Sequence, residues 1–303
     1  MVSFEILPPM KGKSIQSIYD TLDPLMEFKP PFINVTYHRA EYIYQRNGQG
    51  LFVKTVIRKR PGTVGICAAI VNRYHIEAVP HMVCGGFTVE ETEDALIDLA
   101  FLSINNLLVI RGDPNKNESS FEPEPGGHHN ALELLKQAVQ MNKGIFLQED
   151  LTDVSPTDFC IGVAGYPEKH YEAPNMKSDL RFLKEKVDAG ASYIITQMFF
   201  DNSKYFSFVK QCRDMGITVP IIPGIKPITS KNQMGTLPRL FHVEIPDDLE
   251  AEIEKADDSD VKNIGIEWCA NQCKELVKAN VPLLHFYTMS NPGPVKAVVS
   301  KVF

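Results

Sequence analysis

The sequence predicts an α/β chain folded as a single (β/α)8 TIM barrel over residues 1–303, and three observations carry that expectation. Eight short apolar runs alternate with stretches of helical periodicity almost to the end of the chain, the rhythm of βα units around a parallel sheet. The runs are dominated by Ile, Val, Leu and Phe without strict alternation, as expected of strands covered by helices. No GxGxxG follows the first run, where a doubly wound dinucleotide-binding sheet, the alternative architecture, would carry it.

The strands fall at residues 3–7, 32–37, 77–83, 106–111, 159–164, 193–198, 219–225 and 283–287. Pro8-Pro9 stop the first of them. After Ser14, the residues Ile15, Ile18, Leu22 and Leu25 recur at helical spacing. Thr88 with Glu91 has the form of a capping box and leads into Ala95, Leu96, Leu99 and Leu102. Residues 132–141, 180–187, 205–215 and 267–277 read as further helices, and Gly144, Gly190 and Gly216 sit where C-terminal caps belong. The polar stretch 113–127 after the fourth strand is a loop long enough to be mobile or to act as a lid.

The bulk numbers exclude several function classes. A net charge of −7 argues against nucleic acid or an anionic membrane as the main partner, while leaving room for a small anionic ligand. The longest apolar runs are too short to cross a bilayer, and no basic segment followed by an apolar one opens the chain, so a cytoplasmic protein is expected. Six cysteines without a CxxC read as buried, reduced thiols. Cys269 and Cys273 would share a helix face, where packing is favoured over metal ligation, and no metal site is expected.

In a barrel of this kind chemistry belongs at the C-terminal ends of the strands. Seven strands end in polar residues: Glu5; Thr36-Tyr37-His38; His81; Arg111-Gly112-Asp113; the run from Tyr166 to His170; Thr196-Gln197; and Tyr287-Thr288. Glu5 sits among Phe4, Ile6 and Leu7. Lost hydration would raise its pKa and let it hold a proton near neutral pH as a general acid. It could instead face a helix lysine outside the barrel, or pair with Arg111 across the mouth. His81 reads as a hydrogen-bonding histidine, since no second and third metal ligand accompany it, and His128-His129 as polar residues at a helix start. Asp113 is either a turn residue or an acid beside a redox ring. The residues alone reach a barrel enzyme for a polar organic ligand, with one candidate acid and the reaction class open.

Nine motifs in order resemble the 5,10-methylenetetrahydrofolate reductase family. They are FEILPP near the N-terminus, VTYH at 35–38, PHMVC at 80–84, RGD at 111–113, GYPEKH at 165–170, KVDAGA at 186–191, ITQMFFD at 195–201, IIPGIKPI at 221–228 and HFYT at 285–288. The resemblance implies a flavoprotein of one-carbon metabolism and methionine biosynthesis. Such an enzyme takes hydride from NADH or NADPH onto FAD and passes it to methylenetetrahydrofolate in ping-pong fashion. By this resemblance Thr36, His81, Arg111, Gly112, Asp113, Tyr166, His170, Asp179 and Lys186 contact FAD. His170 and Lys186 then replace the glycine-rich phosphate cradle. Glu5 is the general acid, Asp113 tunes the flavin, and Gln197, Gln233 and Tyr287 meet the substrate; Ala191 marks a position whose packing influences flavin retention.

The chain departs from the family pattern at Leu237, where some members carry a Phe over the substrates. It departs also at Met289-Ser290-Asn291, in place of a Leu-Asn-Arg run, and at Phe182. A homo-oligomer is expected, of the bacterial length without a regulatory domain, hence without a response to S-adenosylmethionine. Two other classes remain as alternatives. A flavin-free lyase or aldolase would form a Schiff base trappable with borohydride, and a non-catalytic folate- or partner-binding relative would be indifferent to Glu5→Gln.

Overall fold

The computed structural model describes residues 1–114, 118 and 120–303; residues 115–117 and 119, within the expected 113–127 loop, lie outside the described residues. Eight strands close into a parallel barrel: β1 (Val2–Ile6), β2 (Phe32–Val35), β5 (Glu77–Val83), β6 (Asn106–Ile110), β7 (Cys160–Gly165), β8 (Tyr193–Met198), β9 (Ile221–Ile225) and β10 (Leu284–Tyr287). Their order around the barrel is β1-β10-β9-β8-β7-β6-β5-β2. All eight expected strands are present, with ends that differ by no more than two residues.

Two strands were not expected. β3 (Glu41–Arg46) and β4 (Phe52–Ile57) form an antiparallel hairpin inserted after β2, in register from Glu41 opposite Ile57 to Arg46 opposite Phe52. Its turn is built by Asn47, whose side-chain oxygen accepts from the amides of Gln49 and Leu51 at 3.0 Å each. Gly50 takes the left-handed φ of +78° that the turn requires. The Asn-Gly dipeptide between two β-rich runs is the signal that marks it in the sequence.

The helices are α1 (Gln16–Leu22), α2 (Thr63–Tyr74), α3 (Val89–Phe101), α4 (Ala131–Met141), α5 (Met176–Asp188), α6 (Asn202–Asp214), α7 (Asn232–Phe241), α8 (Asp247–Lys255), α9 (Asp258–Lys278) and α10 (Pro292–Val302). The Thr88–Glu91 capping box forms as expected at the start of α3. Gly144, Gly190 and Gly216 all have positive φ after α4, α5 and α6. Five cysteines are buried and all six are free, but Cys160 is exposed, a correction to the expectation. It is the first residue of β7, at the N-terminal end of the strand, and the three residues that follow it are buried. No helix among the described residues is long and apolar enough to cross a membrane.

Side chains alternate across each strand, so residues two apart share a face. The outward set of β1 and β10, including Phe4 and Phe286, joins the main core between sheet and helices. The inward set builds the barrel interior: Val79, Leu108, Ile195 and Ile222 pack in a separate cluster. Ser3 pairs in register with His285, and Glu5 with Tyr287. These four inward residues therefore rise in two layers toward the C-terminal mouth. Gly224 completes that end. A Cβ there would lie 2.6 Å from the Tyr287 ring, so only glycine lets Tyr287 cross the barrel to donate to the Thr196 carbonyl at 2.6 Å.

Candidate active site

Glu5 sits inside the barrel mouth, not on its outside. Its Oε2 lies 3.4 Å from Nε2 of His81 on β5 and 3.9 Å from Nε2 of His285 on β10. Arg111 does not reach it; that guanidinium is ion-paired with Glu172 and lies 5.0 Å over the Phe121 ring. The alternative of a Glu5–Arg111 pair is thereby excluded. Burial raises the Glu5 carboxyl above the ordinary range, opposed only by His81. The same burial lowers His81 to about 4 and His285 to about 3, so both rings are neutral at pH 7. An acid whose pKa is raised by burial beside two neutral histidines is a self-consistent set.

The hydrogen bonds fix this arrangement. Ser3 Oγ lies 2.8 Å from His285 Nδ1, and Asn34 Nδ2 lies 3.2 Å from His81 Nε2. With the Asn34 amide donating, His81 Nε2 is the unprotonated nitrogen, its lone pair taken by Asn34 while Glu5 Oε2 stands beside it at 3.4 Å. The Glu5 backbone carbonyl accepts from both the amide and the hydroxyl of Thr288, at 3.2 and 2.7 Å, tying β1 to the end of β10. His285 Nε2 and Asn34 Oδ1 are buried and make no hydrogen bond of their own. The reading of the sequence missed Ser3, Asn34 and His285 as site residues. Alternation from Glu5 and Tyr287 points to Ser3 and His285, two residues away on the same strands.

A second group gathers on the β7–α5 side. The His170 amide donates to Asp179 Oδ2 at 2.9 Å, and Lys186 Nζ donates to the Ala164 carbonyl at 3.1 Å. Asp179 and Lys186 are two turns apart on α5, on one face as expected. Burial lowers Lys186 to about 8, with Asp179 pulling the other way. His170 falls to about 4 through burial and the nearby Arg111. Tyr166 packs edge-on against His170 at 4.7 Å. Lys169, at a left-handed φ of +79°, curls the loop by donating to the carbonyls of His170, Tyr171 and Ala173. The loop is braced from outside by Tyr171, whose ring stacks on His242 at 4.4 Å. This brace and the Glu172 partner of Arg111 were not foreseen.

These donors suit a dinucleotide such as FAD. Lys186 is a half-buried cation that donates to one backbone carbonyl and is attracted by Asp179, and an incoming diphosphate would add counter-charge. Gly112, at φ +89°, and exposed Asp113 line a cavity of about 460 Å³ together with Tyr37, His38 and Val83. Thr36 stands at the end of β2, its Oγ1 3.3 Å from His38 Nε2.

The remaining expected residues are placed as follows. Gln197 is half-buried near the end of β8, its oxygen accepting from the Met198 amide at 3.0 Å. Gln233, in the first turn of α7, accepts from the Thr229 amide at 2.7 Å, which leaves its NH2 as the group free for a ligand. Tyr287 feels both Glu5 and Tyr166, which joins the two groups across one mouth. Leu237 is buried in a cluster with Met198, Phe200 and Ile228. Phe182 is half exposed on α5 beneath Arg181, and Asn291 opens α10 without a side-chain cap. Ala191 is buried.

A closed parallel barrel with a buried acid of raised pKa at its C-terminal mouth and a half-buried cation across from it defines a class of (β/α)8 proteins with a polar-ligand site. Comparison with known proteins narrows it. The family model described as methylenetetrahydrofolate reductase matches residues 1–302, and the chain belongs to that family. It is 32% identical over 291 residues to the 5,10-methylenetetrahydrofolate reductase of Escherichia coli, covering 95% of this chain and 86% of that one. It is 31% identical to methylenetetrahydrofolate reductase (NADH) 1 of Arabidopsis thaliana, again over 95% of this chain but only 46% of that protein. The chain thus spans under half the length of the plant relative. Among solved structures, an uncharacterized Clostridium thermocellum protein that binds two copies of 5-methyl-5,6,7,8-tetrahydrofolic acid covers 100% of this chain and 93% of its own, with a TM-score of 0.55 at 13% identity. That likeness speaks to the fold alone.

Proposed function

We propose that this chain reduces 5,10-methylenetetrahydrofolate to 5-methyltetrahydrofolate at the expense of NADH or NADPH. The observation that carries the reading is the buried Glu5 carboxyl, raised in pKa and flanked by two neutral histidines. Bound FAD would supply the two-electron carrier that accepts hydride from the nicotinamide and hands it to the folate carbon. The residues that would hold it are Thr36, His81, Arg111, Gly112, Asp113, Tyr166, His170, Asp179 and Lys186. Asp113 would keep a negative charge at the cavity edge beside Gly112.

The folate methylene is a poor hydride acceptor while held between two nitrogens. Protonating the leaving nitrogen opens the five-membered ring to an electrophilic iminium. Glu5 is the group that holds that proton, because its desolvated carboxyl retains it at pH values where an exposed glutamate has lost it. Burial is what favours the neutral carboxylic acid, and His81 opposes it only in its charged form, which its own depressed pKa makes scarce at pH 7. Gln197, Gln233 and Tyr287 border the same mouth and would orient the folate.

The test is optical. Purified protein mixed with FAD and then freed of unbound flavin should be yellow, bleach anaerobically with NADH or NADPH, and regain its colour on addition of methylenetetrahydrofolate. A protein that is colourless once unbound FAD is removed, or a reduced form that the folate never reoxidises, would contradict the reading.

A further inference from the structure

The hairpin after β2 leads into a basic run, Arg58-Lys59-Arg60, whose three side chains have different fates. Lys59 pairs with Glu41 at 2.5 Å, and Arg60 donates to the Pro8 carbonyl. Nearby Arg39 pairs with Glu118 at 2.5 Å. Arg58 has no carboxylate partner among the described residues. It lines a cavity of about 500 Å³ together with Lys13, Tyr37, the first turn of α2, and His81. No Asp or Glu is among the residues lining that cavity. Of the acids close to its lining residues, Glu91 acts on Tyr37 and is engaged by the Thr88 amide at 2.9 Å, and Glu5 stands behind His81.

The Arg58 guanidinium lies directly over Gly62, where a Cβ would stand 2.5 Å from its Nη2. Gly62 is the N-cap of α2 and supplies no side-chain cap, so the first-turn amides are uncapped as well. An exposed guanidinium lying over the positive end of a helix, with exposed Lys13 on the same cavity, gathers positive charge that an anion would complement. The cavity also reaches the reacting centre, because His81 lines it and stands 3.4 Å from Glu5.

We propose that this cavity is an anion subsite, in which Arg58, Lys13 and the α2 first turn take a phosphate or carboxylate group of a substrate whose reacting end lies at Glu5 and His81. The inference rests on the reductase reading, which supplies two sources of that chemistry. One is the phosphates of the nicotinamide dinucleotide. The other is the glutamyl carboxylates of the folate. Arg58→Gln, Lys13→Gln and the double variant change rim side chains outside the buried core, and the folded state of each can be checked by its melting curve.

The experiment titrates wild type and variants, loaded with FAD, with NADH, NADPH, and the mono- and triglutamyl forms of 5-methyltetrahydrofolate. Loss of a charge-assisted contact should weaken one class of ligand about tenfold or more. Arg58→Lys should recover most of that loss, and the limiting rates of turnover should stay within about twofold. A loss confined to the dinucleotides identifies phosphate as the anion, and a loss that grows with glutamate number identifies carboxylate. Unchanged affinity for all four ligands overturns the subsite, and so does a double variant that no longer retains flavin, since the cations would then serve the cofactor. A wild type that binds no folate would instead count against the reductase reading, with the dinucleotide arm still testing the subsite.

Discussion

Two sides of one barrel mouth treat charge in opposite ways. Around Glu5, burial disfavours charge: the pKa of the acid is raised and both neighbouring histidines stay neutral at pH 7. Across the mouth, Lys186, Lys169 and Arg111 gather beside His170, Arg111 paired with Glu172 and Lys186 drawn by Asp179. Both sides are desolvated, so burial alone does not decide the outcome. The difference lies in what surrounds each group. The β1 side offers only neutral rings, an amide and hydroxyls, while the β7–α5 side offers Asp179 and Glu172 to hold cations in place. The lesson is that one mouth can store a proton at one wall and counter-charge for an anion at the other.

The comparison can be broken most severely at Glu5. Glu5→Gln removes the stored proton and should slow reoxidation by methylenetetrahydrofolate by roughly 10²–10⁴-fold, the span of a general acid's contribution, while reduction by the nicotinamide changes only a few-fold. Making the two walls alike is the next test. His81→Lys would place a fixed cation beside Glu5, lower its pKa, and move the alkaline limb of the folate half-reaction down by roughly 1–3 pH units. A pH profile that does not move would show that the neutrality of His81 is irrelevant. On the opposite wall, Lys186→Met should raise the FAD dissociation constant by about tenfold or more, read from the fluorescence of released flavin.

The smallest effect is on stability in acid. His81 and His285 have folded pKa values depressed to about 4 and about 3, so the unfolded chain binds more protons once the pH falls below about 6.5. Their contribution to stability is therefore complete above that pH and is lost as the pH drops toward those values, with a limiting slope of about 1.4 kcal/mol per pH unit for each ring. Glu5 has the opposite sign. Its raised folded pKa makes the native state the better proton binder, and its contribution fades as the pH rises. Glu5→Gln should therefore steepen the acid limb of a denaturation series between about pH 4.5 and 6.5. An unchanged slope would mean that Glu5 is ionised in the folded protein.

Much of this was legible before the structure. The eight barrel strands declare themselves because parallel strands buried on both faces are apolar throughout, and Glu5 stands out as an acid in such a run. The α3 start was legible because Thr88 and Glu91 are local partners. The hairpin at 41–57 was overlooked although Asn47-Gly48 marks its turn, because its strands interrupt the βα rhythm used to find the others. The pairing of Arg111 with Glu172 was not legible. It depends on how Lys169 curls the loop after β7, which no spacing reveals. The opposite case is Ser3 and His285, where strand alternation carried the information and only the link between the first and last strands was missing.

The claim that Glu5 stores the proton is tested most directly by following reoxidation of the anaerobically reduced enzyme by methylenetetrahydrofolate as a function of pH, in wild type and Glu5→Gln. The account predicts a wild-type rate that is high at low pH and falls through a single pKa above the ordinary glutamate range, and a Glu5→Gln rate that is low and flat. A variant that keeps the wild-type pH profile, or that loses the nicotinamide half-reaction to the same degree, would contradict it.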